Sequence, residues 1–348
     1  MTSEAEAVGN RSDSLALAAG SLVNGVAAYL YVVVGTQVLG AASFAPISIL
    51  WTIWSFAAAT LTFPIQHWVI RTVQADGGER SVRDARLTLA AATSAVMVLT
   101  LVAGIVWRER LFGSTDPGYP ALAAVIVLSA GFLGLSRGVV AARGRFKAAA
   151  VIVAGENLLR LGLGCGVLLL SGGSFAYASA LAAGVGILIF FPRSLVPRDT
   201  GRVGEASAGR MLAGIAGGTL IAQIVLTGPP VLLAALGGEP QVITALFTTA
   251  AVARAPYLIA LGLAIRGNAR LSWMAVNAPT KLRSATRLIV GTSVIAAPVA
   301  AVVAAWIGPS IIETIFGPDT SLPPGPTALV VAASVLALGS LGLMVVLI

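Results

Sequence analysis

Two arginines and one glutamate stand inside stretches of this chain that are otherwise apolar. Glu156 and Arg160 are four residues apart, which puts them on one face of a helix, one turn from each other. At 1.5 Å per residue Arg160 falls about 20 Å beyond Lys147, and Arg254 about 18 Å from Arg266. Both depths lie well inside a hydrocarbon layer about 30 Å thick. A lone charge there costs about 2.5–3.5 kcal/mol, so each must face protein or water. Two chemistries are open for the pair. Glu156 and Arg160 neutralise one another, a buried pair being a weak sign of function, or Glu156 takes up a proton and releases Arg160 to an anion. Arg254 has two readings as well, contact with a phosphate or donation to carbonyls freed by Pro256.

The remaining polar candidates are uncharged or near the membrane edge. Asn24, Gln37, Gln66 and Gln223 would line a cavity or bond between helices. His67, the single histidine, lies about 6 Å from Arg71 and reads as interfacial or as a proton relay. The single cysteine, Cys165, sits among glycines and leucines, so disulfides and cysteine metal sites are excluded. No metal site and no cofactor is expected. A membrane-embedded enzyme would need acids or histidines gathered near the water interface, whereas Glu109, Asp116, Glu239, Glu313 and Asp319 are scattered singly. No phosphate-cradling glycine loop is present, so ATP-driven pumping by this chain is not expected, and neither is catalysis.

The elements that would carry these residues are membrane helices. The chain is 57% hydrophobic and 10% charged over 348 residues, with a mean hydropathy of +0.93. An ordinary soluble domain is about 25% charged. Apolar runs predict about ten helices, near residues 14–39, 44–70, 85–106, 121–140, 148–170, 175–191, 211–236, 242–265, 288–306 and 327–348. The net charge of +8 is spread over helix ends and forms no nucleic-acid face. With the N-terminus inside, 18 of 22 bases fall on cytosolic segments, among them Arg137, Arg143, Arg145 and Lys147. Only Arg108 and Arg110 fall outside, so the positive-inside rule orients a multi-pass protein of the cytoplasmic membrane with a cytosolic N-terminus. Trp51, Trp54, Trp107 and Trp306 near one surface, and Trp68 and Trp273 near the other, read as interfacial belts.

An internal repeat divides the chain. Leu111-Phe112-Gly113 recurs as Ile315-Phe316-Gly317, offset by 204 residues, and Phe63-Pro64 recurs as Ala255-Pro256, offset by 192. Offsets near 200 imply a six-helix unit related by an axis along the membrane normal. The expected organisation is an N-terminal six-helix lobe at 1–200 and a C-terminal lobe of four helices at 201–348, incomplete against the first.

The basic Arg143-Gly144-Arg145-Phe146 turn leads into a helix bearing Glu156 and Arg160. With the twofold repeat, the Phe-Gly turns and Ala253-Arg254-Ala255-Pro256, it resembles polysaccharide-biosynthesis flippases of the Wzx type. These belong to the superfamily that also holds multidrug extruders and the lipid II flippase. The resemblance implies two lobes around a central cavity that opens alternately to each side. It implies a cargo of polyprenyl-pyrophosphate-linked oligosaccharide, contacted by Arg160 and Arg254, with membrane lipids and glycan-assembly proteins as partners and no nucleic acid. Cation-coupled drug extrusion, or a non-transporting fragment of a twelve-helix flippase, are the alternatives. Two arginines against one deep acid favour an anionic cargo.

Overall fold

The computed structural model describes residues 2–170, 172–202, 223–224, 226–254 and 279–347. Among these residues the protein is all-helical, without a strand. The predicted segment 211–236 lies mostly outside them, as do the end of 242–265, Pro256 and Trp273.

The first two predicted helices form one long element, α1 (Thr2–Ala57), broken only at Gly40. Gly40 has φ 77° and ψ 162°, a conformation that a side chain would strain, so glycine makes the corner. The second arm then passes through a π-helical turn at Ala58–Thr62 into α2 (Phe63–Asp76). Pro64 lacks an N–H and its ring crowds the carbonyl four residues back, and the widened turn just before it absorbs that mismatch. Next come α3 (Arg80–Asp84), α4 (Arg86–Val106), α5 (Arg108–Phe112), α6 (Gly118–Ala142), α7 (Phe146–Leu169) and α8 (Ser174–Ala183). The last continues as a 3₁₀ segment, Gly184–Phe190. Beyond residue 202 the described helices are α9 (Pro229–Ala235), α10 (240–254), α11 (Pro279–Phe316) and α12 (Pro324–Leu347).

Among the described residues five helices are long and apolar enough to cross a membrane, the 62-residue Leu15–Asp76 run among them. The protein is therefore a multi-pass membrane protein. The most apolar stretch of α6 is 78% buried against 17% for α4 and 6% for α11, which makes α6 the central helix of the first half. Its glycines permit close packing. A Cβ on Gly134 would lie 2.8 Å from the Thr62 carbonyl, and one on Gly138 2.8 Å from Val69 Cβ. Thr62 Oγ1 in turn donates to the Ala130 carbonyl at 2.9 Å. Helices in lipid gain their attraction from such van der Waals approach and interhelical bonds.

Loops that the charge count assigns to one side do meet in space. The Asp76–Arg80 turn, the α6–α7 turn and the 192–202 segment are joined by Arg80 N–H to the Thr200 carbonyl (2.9 Å), Arg202 N–H to Asp76 (3.0 Å) and Arg143 to Glu79. The opposite end gathers the Gly40 corner, α5, the α8 start and the 235–240 and 316–324 turns. There Tyr119 meets Phe175 edge-on at 5.2 Å, and Gln37 donates to the Ile315 carbonyl at 3.0 Å. Both copies of the repeated turn share one geometry. Gly113 (φ 59°) and Gly317 (φ 99°) are left-handed, and their N–H groups bond to Glu109 and Glu313 at 2.9 Å each. Phe112 and Phe316 before them are buried in the same core, with Tyr31, Phe44 and Phe247.

Candidate functional site

Glu156 and Arg160 do pair, one turn apart on α7, and both are buried. A second arginine completes the site. Arg137 of α6 forms an ion pair with Oε2 of Glu156, while Oε1 receives Arg160 and the indole N–H of Trp54 at 3.1 Å. The Arg160 guanidinium carbon lies 4.7 Å from the Trp54 ring centroid, so one tryptophan donates to the acid and stacks a π face on the base. Arg160 spends its other donors on the Leu181 carbonyl at 2.9 Å and on Asn157 Oδ1 at 2.8 Å. Asn157 passes the chain on, its amide donating to Asn24 Oδ1 at 2.8 Å. Four elements, both arms of α1, α6, α7 and the end of α8, are thus tied through one buried carboxylate.

The surroundings are shaped to hold that guanidinium. A Cβ on Gly184 would sit 2.5 Å from Arg160 Nε, so the 3₁₀ segment can lie against the arginine only because this residue lacks a side chain. Tyr31 and Tyr177 lock α1 to α8 beside it, each hydroxyl donating to the other's carbonyl, at 2.7 and 2.6 Å, with rings stacked at 4.4 Å. Every oxygen of Glu156 is satisfied. Arg137 is not, since its buried Nε has no partner among the described residues. Two bases on one acid leave this site with a net charge of +1 among the three side chains.

Arg137 and three of the tryptophans stand elsewhere than the sequence suggests. The position of Arg137 just before the Arg143 turn suggests a cytosolic base, but α6 runs on to Ala142 and carries it into the bundle. Trp51, Trp54 and Trp68 do not form belts. Trp68 is 1% exposed, Trp51 stacks on Tyr31 at 5.4 Å, and Trp54 serves the charge network, whereas Trp107 and Trp306 are exposed. Of the uncharged candidates only Asn24 reaches the network. Gln37 bonds between helices, one of the two readings open to it, donating to Ile315 at the other end; Gln223 accepts from Thr227 at 3.2 Å, Gln66 is half-buried, and His67 is exposed. Arg254 Nε donates to the Ala250 carbonyl at 2.9 Å in its own helix, and no described contact joins it to Arg160. Asn157 was legible beside Glu156 in an apolar run. Trp54, Arg137 and the Leu181 carbonyl were not, because nothing local marks which distant helices face α7.

No family model, curated protein or solved structure matches this chain.

Proposed function

We propose that this protein is a flippase that moves a polyprenyl-pyrophosphate-linked oligosaccharide across the cytoplasmic membrane by alternating access, in the service of cell-surface polysaccharide synthesis. Its N-terminus faces the cytosol, and some ten spans form two lobes. The observation that carries the reading is the excess positive charge of the Arg137–Glu156–Arg160 cluster, buried at membrane depth with one arginine donor unused. Buried cations of this kind mark ion or substrate pathways and call for an anion. A pyrophosphate has that charge, and a planar guanidinium is suited to its oxygens. Cation-coupled extrusion is less well served. Among the described residues Glu156 is the acid set deepest in an apolar helix, and two arginines and an indole already occupy it.

Alternating access is supported by where the two halves touch. Among the described residues, Gln37 to Ile315, Thr244 to the Ala41 carbonyl (2.7 Å) and Phe44 to Phe247 (6.3 Å) join the halves toward the base-poor end. In the proposed cycle these contacts would seal the pathway at that end. Within this scheme Arg137, with its spare donor, meets the cargo, and Arg160 holds Glu156 in place. Translocation of a fluorescent lipid-linked oligosaccharide in proteoliposomes tests it. Arg137→Gln should slow transport by about tenfold or more, the loss of one charge-assisted hydrogen bond, while the protein stays inserted and folded. Wild-type rates for Arg137→Gln and Arg254→Gln together would sink the cationic-pathway reading.

A further inference from the structure

The base-rich end holds a second feature, remote from the buried cluster. A shallow depression of about 400 Å³ is lined by Arg143, Pro192, Arg193, Val196 and Arg198. Arg143 is its fixed post. Nε and Nη2 grip the two oxygens of Glu79 at 2.7 and 2.8 Å, Nη1 donates to the Arg193 carbonyl at 3.0 Å, and Nη2 to the Val196 carbonyl at 3.2 Å. Glu79 also accepts the Arg198 backbone N–H at 2.6 Å. The 193–198 turn is therefore wrapped around one guanidinium whose charge Glu79 already offsets.

Two further cations are left over. The side chains of Arg193 and Arg198 are exposed, and no described acid pairs with either. Between them Pro192 and Val196 present carbon, Val196 being 67% exposed. Just before the turn, Ile189 and Phe190 are 78% and 76% exposed, the dress of a segment that faces lipid. Exposed guanidinium groups outside any described ion pair, beside an apolar floor at the end of a membrane bundle, fit an amphiphile with an anionic head.

We propose that this depression binds the phosphate headgroup of an anionic membrane lipid, with the phosphodiester between Arg193 and Arg198 and the glycerol and first acyl carbons against Pro192 and Val196. The bound lipid fastens the α6–α7 turn to the segment that leaves the first half. The proposal stands apart from the transport reading, because it uses none of the buried cluster.

The test is native mass spectrometry of the full chain in detergent, titrated separately with phosphatidylglycerol, phosphatidylcholine and inorganic phosphate. Phosphatidylglycerol should bind in preference to phosphatidylcholine, and Arg193→Gln/Arg198→Gln should weaken it about tenfold or more. Val196→Glu, an exposed position where a carboxylate repels phosphate, should do the same. Arg145→Gln/Lys147→Gln removes bases from the neighbouring turn that do not line the depression and should leave binding unchanged. Equal binding of the two lipids, or wild-type affinity in the double arginine variant, overturns the proposal. Arginine-dependent binding of inorganic phosphate without phosphatidylglycerol binding overturns the lipid as the source.

Discussion

At the scale of single residues, Glu156 is the member of the cluster whose loss is felt most. Removing one partner of a buried ion pair costs about 3–5 kcal/mol, because the partner remains buried without its counter-charge. Here Glu156→Ala strands two arginines, whereas Arg160→Met strands none, since Glu156 keeps Arg137. Glu156→Ala should accordingly lower the melting temperature in detergent more than Arg160→Met does. Glu79 supplies a pH-dependent prediction. Its burial pushes the carboxyl toward the neutral form, but hydrogen bonds from Arg143 and the Arg198 amide, together with their charges, win and hold its pKa below the ordinary 4.5. A depressed carboxylate stabilises the fold above its ordinary range and ceases to do so as pH falls through its folded value. Wild type should thus be more stable than Glu79→Gln at pH 7, by about 3 kcal/mol. That gap should persist down to pH 4.5 and close below it, as thermal unfolding across pH would show.

At the scale of elements, close helix approach is what lets α6 occupy the centre. The Gly134 backbone lies against Thr62 at the end of the π-helical turn, so even one added methyl meets the Thr62 carbonyl, a backbone atom that cannot swing aside. Gly134→Ala should cost about 1–3 kcal/mol as overpacking. The same substitution at Gly162, where a Cβ meets nothing within 4 Å, should be near neutral or slightly stabilising in the helix. Comparing the two variants by thermal unfolding separates packing from helix propensity. How far the elements could be foreseen depended on the kind of signal. Helices 86–106, 118–142 and 146–169 follow the apolar runs closely, since a lipid-facing helix must be apolar along its length. The run predicted at 288–306 extends to Pro279–Phe316, because Ser284, Thr286 and Arg287 before it, and Ser310 and Glu313 after it, can be helical while standing in water.

At the scale of the whole molecule, charge is divided between two ends. Arg80, Arg83, Arg143, Arg193 and Arg198 share one end, and Arg108 and Arg110 stand at the other. If the base-rich end is cytosolic, as the positive-inside rule requires, a cysteine at Arg145 in a Cys165→Ser background is shielded from a membrane-impermeant maleimide added to intact cells. A cysteine at Ser114, on the loop after the first Phe-Gly turn, is labelled. The reverse pattern would invert the topology and place the proposed lipid site in the outer leaflet.

Some of this protein was settled by the order of its residues alone. Apolar length made it a multi-pass membrane protein, the placement of bases grouped the loops by end, and Glu156–Arg160 at helical spacing made an ion pair, because each is a consequence of one-dimensional spacing. The repeated Phe-Gly turn belongs here too, its glycine being needed for the left-handed geometry both copies adopt. Only the tertiary structure decided that Arg137 and Trp54 complete the cluster, that Trp68 is core rather than belt, and that Arg143 anchors a turn fifty residues away. Those outcomes depend on which helices lie side by side and how each is rotated. In a bundle where nearly every surface is apolar, a helix's own sequence carries little record of its neighbours.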